Sequence, residues 1–343
     1  MAQTGASVSA LVICTGGGIG DVLLATPVMR ALRQRYGEVV ALTAPVHREV
    51  LARDPDLAEV WTPGTSFLDD VVRVRARRFE AAVVTWASPR SAALPYAANV
   101  PVRVGQARRL YSRLFTHRVL VRSEVGDRRS HWTQILLDFA RVLGCDVADA
   151  TPRFQVDAAS HASLAATLVA QNVRPPYFVL HPTRGISAAR ERWPVAHLGA
   201  LARALGRERR ATVVVTSGIA DRAIADAVAA GGEAVSLGGR TSLGEFGALA
   251  QTAQGVVAMD SGPMHVAAAV GAPTVGIFAL QSDEPDRWAP LGPQTAVVRA
   301  TYPCPPAHRK ETCPNFACVA ALEIPQVLAT LERLVGRAGT IVT

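Results

Sequence analysis

The sequence predicts an α/β protein with two consecutive domains, each built on a parallel sheet. The chain has 343 residues, more than one hydrophobic core of ordinary size accommodates, which favours two domains. Short apolar runs alternate with amphipathic segments, the pattern of strands joined by crossover helices. The segment QNVRPP at 171–176 interrupts this alternation, which then starts again. We therefore expect one domain over 1–172 and a second over 173–343.

Three apolar runs in the first half predict buried strands, at Ser9–Thr15, Val39–Thr43 and Ala81–Trp86. A glycine-rich turn follows the first run. The spacing of apolar residues beyond that turn predicts a helix over about 21–36, and a second amphipathic segment predicts a closing helix over 132–143.

The second half repeats the arrangement. An amphipathic segment at Ala196–Glu208 predicts a helix between its first two strands. The predicted strands are Tyr177–Pro182, Ala211–Gly218, Ala234–Gly239, Gly255–Gly262 and Ala272–Ala279, the last of which completes the sheet.

Composition narrows the class of protein. No run of about 18 apolar residues predicts a membrane-spanning helix, and the start MAQTGASVSALVIC lacks the basic segment of a signal peptide, so we expect a cytoplasmic protein. The formal net charge of +8 favours an anionic partner: nucleic acid, anionic lipid, or a sugar nucleotide with an acidic glycolipid. Aromatic residues are 6% of the chain and no basic run contains them, so nucleic acid is the least favoured of the three.

The turn TGGGIGD at 15–21 lies between the first strand and the first helix. Glycine lets backbone amides approach a ligand, and a helix N-terminus favours an anion there. A dinucleotide site is one interpretation, but Asp21 occupies the position of the last expected glycine, and the second strand ends without an acidic residue. Asp21 either caps the helix or serves as a base, with a pKa that the helix dipole would lower.

The segment MDSGPMHVAAAVGAPTVGIF at 259–278 predicts an anion site where a strand ends and a helix begins. The hydroxyl of Ser261 and the amides from Ser261 to Met264, including that of Gly262, would surround a phosphate. His265 would bond the phosphate or hold Asp260. The alternative is a capped helix with a histidine in the core.

Three further segments follow predicted strand ends in this half. HPTRGISAARERWP at 181–194 delivers Thr183 and Arg184 into a loop. TSGIAD at 216–221 brings Asp221 to a turn, where it would bind ribose hydroxyls or cap a helix. LGGRTSLGEF at 237–246 follows the same pattern, and its Thr241 and Ser242 are equally candidates for helix caps.

These stretches resemble glycosyltransferase family 9, the ADP-heptose:lipopolysaccharide heptosyltransferases. GGGIGDVLLATP at 16–27 is similar to the family's opening motif G-x-G-D-x-x-x-x-T-P, PVRVG at 101–105 is similar to its arginine–glycine turn, and DSGPMH at 260–265 opens a close match to its most diagnostic motif. The resemblance implies a GT-B architecture, with two Rossmann-like domains whose parallel sheets face a central cleft. It implies that the first domain binds acceptor and the second binds the nucleotide sugar, with the final helix at 324–335 packing back on the first domain.

The resemblance also implies roles for single residues. Asp21 matches the catalytic base, with Gly18 and Gly20 on the acceptor side. Asp260 would contact the donor sugar, and Ser261 and Gly262 its diphosphate, together with Met264, His265 and Thr183. Gly238, Arg240 and Thr241, with Asp221, would lie near the nucleotide. The family's K-x-W-P stretch has Glu191 at the lysine position here, so that Arg190 or Arg192, or Arg184, would supply the positive charge.

The function implied is inverting, metal-independent transfer of a sugar, heptose from ADP-heptose, to a glycolipid acceptor such as lipopolysaccharide core. A different nucleotide sugar, a non-lipid acceptor, an inactive nucleotide-sugar-binding relative and a nicotinamide-dependent enzyme are the alternatives. No cofactor is expected beyond the donor substrate, and the protein would touch the inner membrane peripherally.

Three features suggest other chemistry. Asp54-Pro55-Asp56 has the form of a metal-binding D-x-D, but it follows a helical segment, and we predict a solvated turn. Cys304, Cys313 and Cys318, near His308, lack the C-x-x-C pairs of a structural zinc site, and we predict thiols. The basic and apolar segment 112–129 is either an acceptor loop or a solvated hairpin, and we favour the hairpin.

Overall fold

The computed structural model describes residues 8–183, 193–280, 283–304 and 313–338. The chain divides into two compact units, Met1–Phe154 and Gln155–Thr343. This division lies before the predicted boundary at 172/173 because the helix Ala158–Ala170 packs on the helix Leu243–Thr252 of the second unit. No helix in the described ranges combines the length and the apolar character needed to cross a bilayer.

The first unit contains a parallel sheet of six strands in the order β3-β2-β1-β4-β5-β6. Its elements are β1 (Ser9–Cys14), α1 (Ile19–Leu23), α2 (Thr26–Tyr36), β2 (Glu38–Thr43), α3 (Arg48–Leu51), β3 (Glu59–Trp61), α4 (Phe67–Arg77), β4 (Ala81–Val84), α5 (Pro89–Ala97), β5 (Val102–Gln106), β6 (His117–Val119) and α6 (Trp132–Arg141). The three predicted strands are confirmed as β1, β2 and β4.

The predicted helix over 21–36 is two helices, α1 and α2. Pro27 has no N–H to donate to the carbonyl of Leu23, and the hydroxyl of Thr26 donates to that carbonyl instead, at 2.9 Å. The T-P pair therefore ends one helix and starts the next. Since α1 is then only five residues long, the glycine-rich turn and Asp21 lie on a short separate segment.

The second unit contains another parallel six-stranded sheet, in the order β12-β11-β10-β7-β8-β9. Its elements are α7 (Ala158–Ala170), β7 (Tyr177–His181), α8 (Val195–Arg209), β8 (Thr212–Val215), α9 (Arg222–Gly232), β9 (Val235–Ser236), α10 (Leu243–Thr252), β10 (Gly255–Met259), α11 (Gly262–Ala269), β11 (Thr274–Phe278), α12 (Pro285–Trp288), β12 (Thr295–Arg299), α13 (Ala317–Ala320) and α14 (Ile324–Ala338).

The five predicted strands of this half are confirmed, but the expectation that 272–279 completes the sheet is wrong. The strand β12 pairs in parallel with β11, with Thr274 opposite Thr295. The final helix α14 places Val327 and Leu331 in the core of this second unit. Its expected packing on the first unit stays a prediction.

Each sheet reverses its strand order beside its first strand. In the first unit, β1 lies between β2 and β4; in the second, β7 lies between β8 and β10. The connections that leave such a point go to opposite faces, which leaves a crevice at the carboxyl ends of the two strands, the usual ligand site of open α/β sheets. The segments after β1, β4, β7 and β10 are therefore where functional side chains are expected.

The predicted solvated turn at 54–56 is a turn, but it is not solvated. Asp54 is 8% exposed and its carboxylate accepts the N–H of Asp56 at 2.9 Å. Asp56 in turn accepts Nε of the buried Arg30 at 3.2 Å, and Arg30 also donates to the carbonyls of Asp149 and Thr151. The two aspartates thus belong to a structural network that fastens the end of the unit to α2.

The predicted hairpin at 112–129 is also wrong. A 3₁₀ helix at Leu110–Leu114 leads into β6, which pairs in parallel with β5, and a second 3₁₀ helix follows at Arg122–Val125. Parallel neighbours cannot be joined by a tight hairpin turn. Cys14 and Cys145 are buried free thiols.

We predict that Asp54→Asn stabilises the protein at neutral pH. Burial raises the pKa of Asp54 to about 6. Between about pH 4 and 6 the folded state holds a proton that the unfolded state has lost, so the free energy of unfolding falls as pH rises through this window. Asparagine keeps the bond to the Asp56 N–H without the charge, which should add about 2 kcal/mol at pH 7.5 and much less at pH 4.

Denaturant-induced unfolding of the protein at pH 7.5 and at pH 4, followed through the transition of the first unit, checks this expectation. Asp69→Asn is the control, because hydrogen bonds from Thr65 and Ser66 lower the pKa of that exposed carboxylate. Its substitution should destabilise at pH 7.5. Equal loss of stability in both variants at neutral pH would contradict the assigned effect of burial.

Candidate active site

Asp21 lies at the strand reversal of the first unit, immediately after β1. It is the third residue of α1, and its Oδ2 accepts the backbone N–H of Gly18, the N-cap, at 2.7 Å. The capping interpretation of Asp21 is therefore confirmed. The carboxylate has a second oxygen, so capping does not prevent a role as a base.

The pKa of Asp21 is raised, whereas the sequence predicted that the helix dipole would lower it. Burial is the largest influence and raises the pKa; the N–H groups of Gly18 and of Asp21 itself, and the charge of His47, lower it by less. A raised pKa makes the carboxylate a stronger proton acceptor, which is what general-base catalysis near neutral pH requires.

His47 was not singled out from the sequence. It ends the 3₁₀ helix Pro45–His47, which follows β2, the neighbour of β1 in the sheet. The side chain is buried, and within the described residues its Nδ1 has no hydrogen-bond partner. Burial lowers the pKa of His47, and the charge of Asp21 raises it. The sequence signal that could have identified His47 is its position as a polar residue just beyond a strand adjacent to β1.

Two glycines of the turn are required by close contacts. A Cβ on Gly16 would lie 1.9 Å from Cδ1 of Trp86, so the indole ring packs directly on the turn. Gly17 has φ +76°, and a Cβ there would meet Oδ2 of Asp21 at 2.7 Å. Trp86 follows β4, on the other side of the strand reversal. Of the predicted acceptor-side residues, Gly18 is the N-cap of α1 and Gly20 is the second residue of that helix.

The predicted phosphate site in the second unit lies after β10, at the other strand reversal. Ser261 is the N-cap of α11, but its hydroxyl donates to the carbonyl of Met259 at 2.9 Å and makes no cap bond to the helix. A serine N-cap ordinarily takes an N–H of the first turn. The Ser261 hydroxyl therefore does not accept the N–H groups of the first turn, which begins at Gly262. Another acceptor can take them. The backbone N–H of Asp260 donates to the carbonyl of Ile277 at 3.0 Å, which fixes the main chain at this residue.

Met264 and His265 are buried in the same helix. Met264 is 0% exposed, and its sulfur packs against Gly276, where a Cβ would lie at 2.6 Å from it. Its side chain is thus part of the core, and only its backbone is suited to the predicted phosphate contact. His265 is 5% exposed.

A buried polar chain lies beside this site at the ends of β7 and β8. The hydroxyl of Thr183 lies 3.4 Å from Nε2 of His181, whose Nδ1 lies 3.0 Å from the hydroxyl of Thr216. Burial lowers the pKa of His181 to about 4, so the ring is neutral at pH 7. His181 was quoted in the sequence only as part of a strand. The predicted phosphate contact of Thr183 stays a prediction.

The remaining predicted donor residues are placed as follows. Asp221 is at the N-cap of α9 without a side-chain cap bond, so the capping alternative is not supported. Gly238 is buried against Ala225. Arg240 is exposed and bonds the side chain of Gln171 at 3.3 Å. Ser242, not Thr241, caps α10 in a reciprocal bond pair with Glu245. Arg184, Arg190, Glu191 and Arg192 lie outside the described residues.

The three C-terminal cysteines were predicted as thiols, not as a metal site. Burial and then the neighbouring Cys318 raise the pKa of Cys304, with a smaller contribution from Cys313, so the three thiols are near one another. Over the described ranges no group of three or more His, Cys, Asp or Glu side chains has a geometry that could hold a metal ion. His308 lies outside those ranges.

Comparisons with known proteins identify the family of the chain. The profile of glycosyltransferase family 9 (heptosyltransferase) matches residues 71–316. The chain belongs to glycosyltransferase family 9. It is a glycosyltransferase, and this membership decides against the nicotinamide-dependent alternative. Asp21 lies before the matched range, so a role for it is inferred from the opening motif and the structure and not from this match.

Individual relatives support the same fold. Lipopolysaccharide heptosyltransferase 2 of Salmonella typhimurium is 27% identical over 300 residues, which is 82% of this chain and 85% of the relative. The structure of Escherichia coli ADP-heptose lipopolysaccharide heptosyltransferase II has a TM-score of 0.80 and 22% identity, covering 97% of this chain and 100% of that one. The iron-containing dodecameric glycosyltransferase TibC of Escherichia coli has a TM-score of 0.58 and 15% identity, covering 97% and 77%. The fold of the family 9 chain is thus GT-B.

We predict that Gly16→Ala disturbs the glycine-rich turn, whereas Gly18→Ala is tolerated structurally. The Cβ on Gly16 would overlap the ring of Trp86, while the nearest atom to a Cβ on Gly18 is Oδ2 of Asp21 at 3.7 Å, an ordinary contact. Gly16→Ala should lower the unfolding midpoint and shift the tryptophan emission, and Gly18→Ala should change neither markedly. Equal shifts in both variants would show that Trp86 does not pack on Gly16 in solution.

Proposed function

We propose that this glycosyltransferase moves heptose from ADP-heptose to a glycolipid acceptor of the lipopolysaccharide core type, with inversion at the anomeric carbon and without a metal ion. Family membership and the names of the similar heptosyltransferases support the donor and acceptor classes. The observation that carries the chemistry is the position of Asp21. Its carboxylate is fixed by the Gly18 N–H at a strand reversal and has a raised pKa.

In the proposed reaction, a hydroxyl of the acceptor attacks the anomeric carbon of the donor. Asp21 accepts the hydroxyl proton as the new C–O bond forms, and the bond between the anomeric carbon and the β-phosphate oxygen breaks, releasing ADP. Attack opposite the departing phosphate inverts the anomeric configuration. His47 holds no substrate and transfers no proton in this scheme, because burial lowers its pKa and leaves the ring largely neutral at neutral pH.

The charge that develops on ADP needs stabilisation from the second unit. The first-turn amides of α11 are left by Ser261 and point from a helix N-terminus, which carries partial positive charge. Asp260, immediately before them, is suited to hydroxyls of the donor sugar. Preorganised amides of this kind stabilise a leaving anion without a metal, which is why we propose metal independence.

We further propose that the enzyme acts in the cytoplasm, with peripheral contact at the inner membrane where a glycolipid acceptor would be presented. It would bind no nucleic acid. No cofactor is proposed beyond the nucleotide-sugar substrate.

We predict that Asp21→Asn lowers kcat by about 10²- to 10⁴-fold, the range for loss of a general base, with little change in ADP binding. Heptose transfer from ADP-heptose to a lipopolysaccharide acceptor and the ADP-induced thermal shift are the two measurements. Because the pKa of Asp21 is raised, wild-type kcat/KM should increase with pH through that pKa, and this acid limb should vanish in the variant.

Asp69→Asn is the matched control for Asp21→Asn. Asp69 also accepts the N-cap N–H of its helix, that of Ser66 at 3.0 Å. It should lose a capping bond and keep its transfer activity. If Asp21→Asn transfers heptose at the wild-type rate, Asp21 is not the base.

We predict that ADP and ADP-heptose raise the unfolding midpoint selectively over UDP, GDP, CMP and NAD. A ligand that binds only the folded state adds about 2.7 kcal/mol at a hundredfold excess over Kd. Ser261→Trp should abolish the shift by filling the space before α11, while Ser66→Trp, at the exposed N-cap of α4, should retain it. A shift with UDP alone would mean that the donor is a UDP-sugar and not ADP-heptose. A shift without transfer to any acceptor would indicate an inactive relative.

Treatment with EDTA tests the metal independence separately. Unchanged transfer after removal of metal ions is expected. Loss of transfer that returns on adding a metal ion would overturn that part of the proposal and leave the donor class intact.

A further inference from the structure

A cavity of about 290 Å³ lies in the first unit, at the carboxyl ends of β4 and β5. Its walls include Trp86, Tyr111 and Trp132, with Gln106, Arg109 and Glu124 among the polar residues. Its volume is at the lower end of the range of small-molecule pockets, about 300–1,000 Å³. One sugar ring would fit such a space, and a whole glycolipid would not.

The cavity shares a wall with the turn that carries Asp21. Trp86 lines the cavity, and the same ring packs directly on Gly16. Although tryptophan is large and apolar, Trp86 is 42% exposed. An occupant of the cavity would therefore lie against the indole that separates it from the glycine-rich turn.

Two hydrogen bonds fix Tyr111 in the aromatic wall. The hydroxyl of Tyr111 donates to the carbonyl of Ala87 at 2.8 Å and accepts Nε2 of Gln106 at 2.8 Å. Both functions of this hydroxyl are thus used within the protein, and the ring presents its apolar surface. Rigid aromatic surfaces with few placed polar groups are typical of specific ligand sites.

The charged residues of the cavity neutralise each other. Arg109 donates to Oε1 of Glu124 at 2.5 Å, so the guanidinium charge is already paired. The other carboxylate oxygen, Oε2, is buried and has no hydrogen-bond partner in the described part of the chain. An unpaired buried acceptor of this kind costs free energy until a donor reaches it, and a sugar hydroxyl is such a donor.

Building on the proposed function, we propose that this cavity binds the acceptor sugar as an uncharged pyranose ring, with a ring face on the aromatic wall and a hydroxyl donating to Oε2 of Glu124. A carboxylate-bearing sugar is disfavoured, because Arg109 is neutralised and Glu124 repels a second carboxylate. The acceptor sugar that enters this site is therefore neutral, and any anionic groups of the acceptor lie outside the cavity.

Tryptophan fluorescence tests the proposal, because Trp86 and Trp132 line the cavity. The purified full-length protein is titrated with methyl α-mannopyranoside, a neutral pyranoside, and with methyl glucuronide, an anionic one. The neutral sugar should bind at least tenfold more tightly to the wild type. Glu124→Gln leaves Arg109 unneutralised and should reverse this preference, whereas Arg109→Gln should strengthen it.

Glu233→Gln is the matched control, because Glu233 forms an Arg–Glu pair with Arg207 at 3.1 Å on the surface of the second unit. It should leave the sugar preference unchanged. Circular dichroism establishes that each variant is folded, and the opposite shifts expected for the two cavity variants cannot both arise from partial unfolding.

The outcomes separate this inference from the proposed function. If the wild type is stabilised by ADP and transfers heptose, but Glu124→Gln and Arg109→Gln leave the sugar preference unchanged, the acceptor subsite is wrong and the transferase proposal stands. If neither ADP binding nor transfer is found, the transferase proposal and the acceptor subsite are both wrong, even if the cavity binds sugars. A tighter wild-type complex with the glucuronide also overturns the inference.

Discussion

The reversal of strand order beside β1 and β7 is the constraint on which the candidate site depends. At these points successive connections pass to opposite faces of a parallel sheet, so the carboxyl ends of two neighbouring strands are left uncovered. The glycine-rich turn and Trp86 lie at the first reversal, and the turn before α11 lies at the second. The two units place different groups at the same point of the sheet: a carboxylate at one reversal, and at the other a helix N-terminus that the Ser261 side chain does not cap.

Competition between burial and hydrogen bonding decides how the carboxylates of the first unit behave. Burial raises the pKa of both Asp21 and Asp54, although each accepts a backbone N–H. At Asp54 the raised pKa is a cost of forming a structural turn. The same turn contains Asp56, which accepts a hydrogen bond from a buried arginine. At Asp21 the same imbalance lies beyond a strand end, where the proposed function uses a carboxylate with greater proton affinity. A raised pKa therefore identifies a functional residue only together with its position in the sheet.

Much of the fold was predictable because buried parallel strands are continuous apolar runs, and such runs gave β1, β7, β10 and β11 directly. The edge strand β12 was missed because it is only partly buried, with a burial pattern unlike that of the central strands. The roles proposed for Asp21 and Ser261 follow from local motifs. His47 and His181 did not, because their neighbours Asp21 and Thr216 are distant in sequence, and only the pairing of strands brings them together.

The net charge of +8 is a weak guide to ligands in this protein, because several arginines serve the fold. Arg30 joins carbonyls at 149 and 151, and Arg103 donates to the carbonyls of Leu114 and Val100. Arg109, although it lines the cavity of the first unit, is paired with Glu124. Positive charge held in this way contributes to the long-range field but makes no specific contact with a substrate. The proposed function therefore relies on the oriented amides of α11 for the anionic donor, and the proposed neutral acceptor ring is compatible with a basic protein.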